Sequence, residues 1–144
     1  MVSANAMTVN VKNVSIRYAN LGDIDHLEEI DVLPNWKEIL LDKQQGLIVL
    51  EYKKVVCGVY SFRLTKTTYL VDNFMVNLKF RHMRMGSRLI DDLKDRCYKT
   101  SHKLINIKTP EYAVDLQLFL KYHGFWAISL DKSGHGWYNM VYRV

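Results

Sequence analysis

The sequence predicts a mixed α/β fold: one sheet, mostly antiparallel, with a single parallel strand pair. Three observations carry this. In the first half of the chain, short apolar, β-branched runs alternate with turn residues, the pattern of a strand meander. Over Tyr69 to Leu93 a strand, a basic joint and an amphipathic helix follow one another. That helix separates the fourth predicted strand from the fifth, which makes the two parallel neighbours joined by a right-handed crossover. With 144 residues the chain fits one domain able to bury a core. An apolar content of 49% against 24% charged residues excludes a disordered chain. No apolar run reaches the length of a membrane span.

Residues 1–12 read as a loose tail and residues 13–144 as one domain. The opening M-V-S-A-N-A-M-T has no basic segment followed by an apolar one, so it does not read as a secretory signal. Val14 to Tyr18 is the first strand. Asn20-Leu21-Gly22-Asp23 gives a turn and a cap, and Ile24, Leu27 and Ile30 recur at helical spacing with Asp25, Glu28 and Glu29 outside. His26 reads as a surface residue. Asn35 to Leu41 is a short second helix. Leu47 to Tyr52 and Val55 to Leu64 are strands around a Lys53-Lys54 hairpin turn. The polar turn Thr65-Lys66-Thr67-Thr68 leads into the fourth strand.

Tyr69 to Val76 is that strand, apolar enough to be buried on both faces and interrupted only by Asp72 and Asn73. Leu89, Ile90, Leu93 and Cys97 then mark the inner stripe of a helix opening at Gly86. Leu104 to Lys108 is the fifth strand. Thr109-Pro110-Glu111 starts another helix, with Thr109 as its cap and Pro110 in its first turn. Ala113, Leu116, Phe119, Leu120 and His123 form its inner stripe, and Gly124 ends it. Phe125 to Leu130 and Trp137 to Val144 are the last two strands.

The joint between the fourth strand and its helix holds Lys79, Arg81, His82, Arg84, Gly86, Ser87 and Arg88. Such a joint is an anion site. First-turn N–H groups point outward, the helix dipole is positive there, and the arginines add charge. The net charge of +5 suits a polyanionic cofactor and also suits nucleic acid. Cys57 and Cys97 make no disulfide framework. Each reads as a small buried hydrophobe, which fits a reducing cytoplasm. His26, His82, His102, His123 and His135 share no metal-ligand spacing, so no metal is expected.

Arg81, Arg84 and Gly86 fall on the acetyl-CoA signature Q/R-x-x-G-x-G/A of the GNAT-family N-acetyltransferases, with Arg84 in place of the first glycine. Together with the Phe80-Arg81 pair, the order of strand, helix, strand and helix around them, and Gly124-Phe125, the chain resembles that family from about Val14 to its end. The string I-R-Y-A-N-L-G-D-I-D-H-L is similar to the family's opening. The resemblance implies a GNAT-like acyl-CoA N-acyltransferase fold, splayed between strands four and five. It implies a pantetheine arm pairing with backbone around Met75, Val76 and Asn77. It implies a pyrophosphate held by the amides of His82, Met83, Arg84, Met85, Gly86 and Ser87. Arg81, Arg84 and Arg88 would add ion pairs, and Gly86 would let the phosphates approach the backbone. Trp36 lies where the family lines its acceptor pocket, or else is core.

Acetyl transfer needs a base for the amine's proton and an N–H for the carbonyl oxygen. Asp72 is the expected base. It lies nine residues before Arg81 (81 − 72 = 9), where the family often carries an acid, and burial would make it a better base. Its strand face is read as shared with Phe74 and Val76, and Asn73 is read as steadying a loop on the other side. A backbone N–H near Met75 or Val76 would hold the oxygen. The family's usual acid, a tyrosine four residues before the Gly-Phe glycine, is Leu120 here, and Ala113 replaces an asparagine that contacts the cofactor. Water, Tyr138 or Tyr142 could protonate the leaving thiolate.

The expected function is therefore transfer of acetyl from acetyl-CoA to a primary amine: a small molecule, a protein N-terminus or a lysine. The expected protein is cytoplasmic, monomeric or homodimeric, and without a membrane partner. One rival is an acyl-CoA-binding regulator of the same fold with weak or no turnover. Another is a small basic nucleic-acid-binding domain, disfavoured because the basic patch lacks interleaved aromatics beyond Phe80.

Overall fold

The computed structural model describes residues 13–81, 83–131 and 136–144. The expected tail at 1–12, His82 and the turn residues 132–135 lie outside the described residues. Among the described residues, seven strands form one sheet: β1 (Val14–Tyr18), β2 (Gln45–Tyr52), β3 (Val55–Leu64), β4 (Thr68–Val76), β5 (Leu104–Pro110), β6 (Trp126–Asp131) and β7 (Trp137–Arg143). Their order across the sheet is β1-β2-β3-β4-β5-β7-β6. All neighbours are antiparallel except β4 and β5, which run parallel. The helices are α1 (Ile24–Ile30), α2 (Trp36–Leu41), α3 (Met85–Lys99) and α4 (Val114–Tyr122).

Two apolar layers flank the sheet. On one side α3 supplies Met85, Leu89, Ile90, Leu93 and Cys97, and α4 supplies Leu120, against Ile48, Tyr60, Val71, Phe74, Ile105, Ile107 and Met140. On the other side Leu27 of α1 and Trp36 of α2 pack on Leu47, Val49, Val56 and Val59. The expected helical stripes are thus the faces that are buried. Fully burying a side chain of this size contributes about 1.5–3 kcal/mol, so the core residues outweigh any surface ion pair.

Caps and turns follow the sequence closely at the N-terminal end. The Asn20 side chain accepts from Gly22 N–H, while Asp23 accepts from Asn20 N–H, a reciprocal capping box. Asn35 caps α2 by accepting from Glu38 N–H. His26 is half-buried rather than superficial: its Nδ1 accepts from Val56 N–H at 3.3 Å. The hairpin turn between β2 and β3 places Lys53 at φ 49° and Lys54 at φ 67°, the left-handed pair that a two-residue hairpin demands.

The helix expected at Thr109-Pro110-Glu111 does not start there. Thr109 and Pro110 continue β5, paired with Tyr138 and Trp137 of β7, and α4 opens only at Val114 with no side-chain cap. Thr109 is fully buried on the sheet, which outweighs its preference for a cap. Proline is tolerated because it closes the strand, where no further N–H is needed. Among the described residues no helix is long and apolar enough to cross a membrane.

Candidate active site

The site is built where β4 leaves β5. Parallel pairing runs from Thr68 with Leu104 to Val71 with Ile107 and stops there. Beyond it β4 stays paired with β3 as far as Val76 with Gly58, while β5 continues along β7. The register with β3 slips at the same place. Ser61 pairs with Asn73 and Phe62 with Val71, so Asp72 is the extra residue of a β-bulge.

The bulge changes which residues share a face. Tyr69 and Val71 before it, and Phe74 and Val76 after it, all pack in the α3 layer, while Met75 packs in the α1–α2 layer. Strict alternation places Asp72 with Phe74 and Val76, and the apolar run reads as a strand buried on both faces. Instead Asp72, its side chain 31% exposed, is paired across the sheet with Arg63. Nε donates to Oδ2 at 2.8 Å and Nη2 to Oδ1 at 3.1 Å. It is therefore an ion-paired carboxylate beside the parting strands. Asn73 steadies a strand, not a loop: its Nδ2 donates to Ser61 Oγ at 2.8 Å.

Backbone geometry selects among the expected pairing residues. Asn77 N–H is spent on Cys57 C=O at 2.8 Å. Antiparallel ladders alternate, so this bond places Met75's groups on β3. Phe74 and Val76 then turn their N–H and C=O toward the side β5 has left. The Asn77 side chain accepts from Lys79 N–H at 3.0 Å and so caps the short 3-10 turn Leu78–Phe80.

The basic joint ends at α3. Arg84 is its N-cap at φ 61° and ψ 20°, with no side-chain cap on the first turn. Arginine thus adopts the left-handed conformation that glycine would take without strain. Arg81 and Arg84 are exposed, Met83 is partly buried, and Met85 is only 1% exposed. Met85 can therefore offer a ligand only its backbone. Gly86 also has a packing reason. A Cβ there would meet Phe119 Cζ at 3.1 Å, so Gly86 lets α4 approach α3.

The end of α4 is locked onto the first turn of α3. His123 Nε2 lies 3.1 Å from Ser87 Oγ, and its ring packs on Phe119 with centroids 4.6 Å apart. Lys94 Nζ donates to His123 C=O at 2.6 Å and sits 4.0 Å from the Tyr142 ring centroid. Burial, then the Lys94 charge, hold His123 below the usual imidazole range. Burial also lowers Lys94. The sequence placed His123 on the inner stripe, but nothing in its spacing pointed to Ser87.

Four further expectations can be set against the structure. Trp36 is core, 1% exposed, with Nε1 donating to Asp31 C=O, so it is no pocket wall. Leu120 is fully buried. Of the two tyrosines of the last strand, Tyr138 stands opposite Thr109, past the parting of β4 and β5, whereas Tyr142 stands opposite Ile105, below it. Both cysteines are buried and free, and burial pushes Cys57 up to about 12 and Cys97 to about 11.

The chain matches no family model and no curated protein sequence. It does match solved structures over most of its length. One is Ard1 from Thermoplasma volcanium, with a TM-score of 0.80 at 19% identity, covering 92% of this chain and 98% of that one. A second is a GNAT family acetyltransferase from Elizabethkingia anophelis with acetyl-CoA bound, with a TM-score of 0.79 at 16% identity over 92% and 99% of the two chains. A third is Arabidopsis thaliana Naa50 in complex with the bisubstrate analogue CoA-Ac-MVNAL, with a TM-score of 0.74 at 16% identity over 90% and 98%. The chain has the GNAT fold, and its residues stand on that fold largely unlike those of its neighbours.

Proposed function

We propose that the protein is an acetyl-CoA-dependent N-acetyltransferase that acts on a primary amine by direct transfer. One observation carries the proposal: β4 and β5 part after Val71 and Ile107, beside a helix whose first turn has no side-chain cap. Ligands favour such crevices in open α/β sheets. The residues present fit a diphosphate with an extended arm. Arg84 shapes the turn, Met85 to Ser87 supply first-turn amides, and Arg81 and Arg84 bring exposed charge. The edge of Phe74 and Val76 suits an arm that pairs as a strand does.

Acetyl-CoA supplies a thioester from which an amine can take the acetyl group. Within this reading, the Val76 N–H, turned toward the side β5 has left, would be the donor that steadies negative charge on the thioester oxygen. Asp72, at the parting point, takes the amine's proton directly or through water. Tyr138, at the open end, gives a proton to the sulfur that leaves. The likeness to structures holding acetyl-CoA or a peptide-bearing analogue supports a primary amine on a small molecule or a polypeptide as acceptor. Two buried free thiols support a cytoplasmic setting.

The test is acetyl-CoA-dependent thiol release with a panel of amine acceptors, alongside calorimetry of acetyl-CoA binding. Binding with acceptor-dependent release supports the enzyme. Binding with no release from any acceptor favours the regulator. Absence of binding overturns both.

A further inference from the structure

The function proposed above leaves the contact between α4 and the first turn of α3 without a role. His123 is the residue after α4, held at φ −89° and ψ 14°. Its imidazole is fixed on several sides. Phe119 lies against it, Tyr122 meets it edge-on at 5.3 Å, and Nε2 reaches Ser87 Oγ at 3.1 Å. Ser87 is the third residue of α3, so its N–H is one of the first-turn amides without an intrahelical acceptor. A ligand phosphate at those amides would lie beside the Ser87 hydroxyl, and the hydroxyl is already committed to a histidine.

We propose that His123 is a positioning residue that acts through Ser87, and that a diphosphate seated at α3 draws a proton onto His123. This deepens the proposed acetyl-CoA site and rests on it. With His123 neutral at Nε2, the Ser87 O–H donates to the ring and its proton is turned from the ligand. When Nε2 takes a proton, the N–H donates to Ser87 Oγ. The hydroxyl is then free to donate to a phosphate oxygen. One proton enters from solvent, and no covalent bond forms or breaks.

The charged groups facing the ring set the balance. Lys94 of α3 opposes protonation and Asp91 of α3 favours it. From β7, Tyr142 lies against Lys94. Burial and Lys94 together keep His123 neutral near pH ~7 in the free protein. A phosphate anion reverses the sum by adding negative charge on the Ser87 side. Arg84 and Arg81 are exposed on the same joint.

Proton uptake distinguishes this device from simple packing. Coenzyme A is titrated into the full chain by calorimetry near pH ~6.5, close to the ordinary imidazole value, in buffers of different ionisation enthalpy. Wild type should take up part of a proton per ligand beyond that taken by His123→Gln. Its affinity should weaken more than the variant's, by up to about tenfold, when the pH is raised to about 8. The ligand's own phosphate monoester titrates equally in both and cancels. Ser87→Ala, a milder change, should also lose the extra uptake. Equal proton uptake in wild type and Ser87→Ala would overturn the inference and leave the acetyltransferase reading intact. Failure of wild type to bind coenzyme A would overturn both.

Discussion

Asp72 and Arg63 meet through two parallel hydrogen bonds, at 2.8 Å and 3.1 Å, across the bulge where β4 parts from β5. Exposed pairs of this kind contribute only about 0–1 kcal/mol to stability, so the pair can be taken apart without unfolding the chain. Asp72→Asn is expected to lower acetyl transfer about 100-fold or more, with acetyl-CoA affinity within about twofold. Arg63→Met is expected to keep at least about one third of wild-type turnover, because the carboxylate remains. Steady-state thiol release with one good acceptor checks both. Full activity in Asp72→Asn would reduce the pair to a tie between strands.

The backbone at Arg84 costs about 1–2 kcal/mol that glycine would not incur. Part of that is offset because glycine loses more entropy on folding, about 0.5–1 kcal/mol. Arg84→Gly should therefore melt at or slightly above the wild-type temperature. It should bind coenzyme A about fivefold more weakly, the equivalent of one exposed ion pair. The loss should shrink at high salt. Calorimetry at two ionic strengths reads the effect, and undiminished affinity would show that Arg84 only shapes the turn.

The β2–β3 turn gives a stability test of its own, read without any activity assay. Lys53 and Lys54 both hold positive φ, and Asn-Gly suits that turn type best. Replacing both should stabilise the chain by about 0.5–2 kcal/mol, read as a higher denaturation midpoint with an unchanged slope. A lower midpoint would mean that the lysines make favourable contacts in place of strain.

The missing acid can be sought by elimination. Tyr122 is 86% exposed, so Tyr122→Phe should change turnover by no more than about threefold. Leu120 stands four residues before Gly124, where the resemblance would put a tyrosine, but it is fully buried. A ring there overpacks the core, and Leu120→Tyr should cost about 1–3 kcal/mol. Tyr138→Phe is the informative variant. An expected loss of about tenfold or more in turnover, with melting temperature held, would support a proton donor. An unchanged rate would leave that task to water.

His123 also gives the native state a pH dependence. Its native ionisation lies below the ordinary value of about 6.5, so below that value the unfolded chain binds more protons than the folded one. The stability it contributes is complete above about pH 6.5 and is lost as pH falls through the native value. Thermal melts should fall between about pH 7.5 and pH 5, and they should fall less steeply in His123→Gln. Parallel curves would mean that other groups carry the acid sensitivity.

The strands and helices were legible because burial in this chain follows simple periods. Leu89, Ile90, Leu93 and Cys97 are a helical stripe, and all are fully buried. The basic joint was legible because charge and Gly86 mark a helix start. Two things were hidden. The bulge at Asp72 leaves no trace in a strand that reads as continuous, since an extra residue shows only against its partner β3. The contacts of Arg63 with Asp72 and of Ser87 with His123 join residues far apart in the chain. No local spacing encodes them. Thr109 misled because a good capping residue was required inside the sheet.

Strand β4 keeps two phases. Up to Val71 the odd-numbered side chains look toward α3, and from Phe74 onward the even-numbered ones do. Asp72 is the beat at which the count changes. Because Asp72 is the residue by which β4 exceeds β3, deleting it would restore plain alternation, with Phe74 still facing α3 opposite Tyr60 and Asn73 still opposite Ser61. The loss would be the bend and the added twist that a bulge gives its strand, at the place where β5 leaves. Exchanging the residue for another keeps that bend. A laboratory library that shortens the strand there should therefore still return folded chains, but with the mouth between β4 and β5 reshaped, whereas one that varies position 72 freely should keep both fold and mouth.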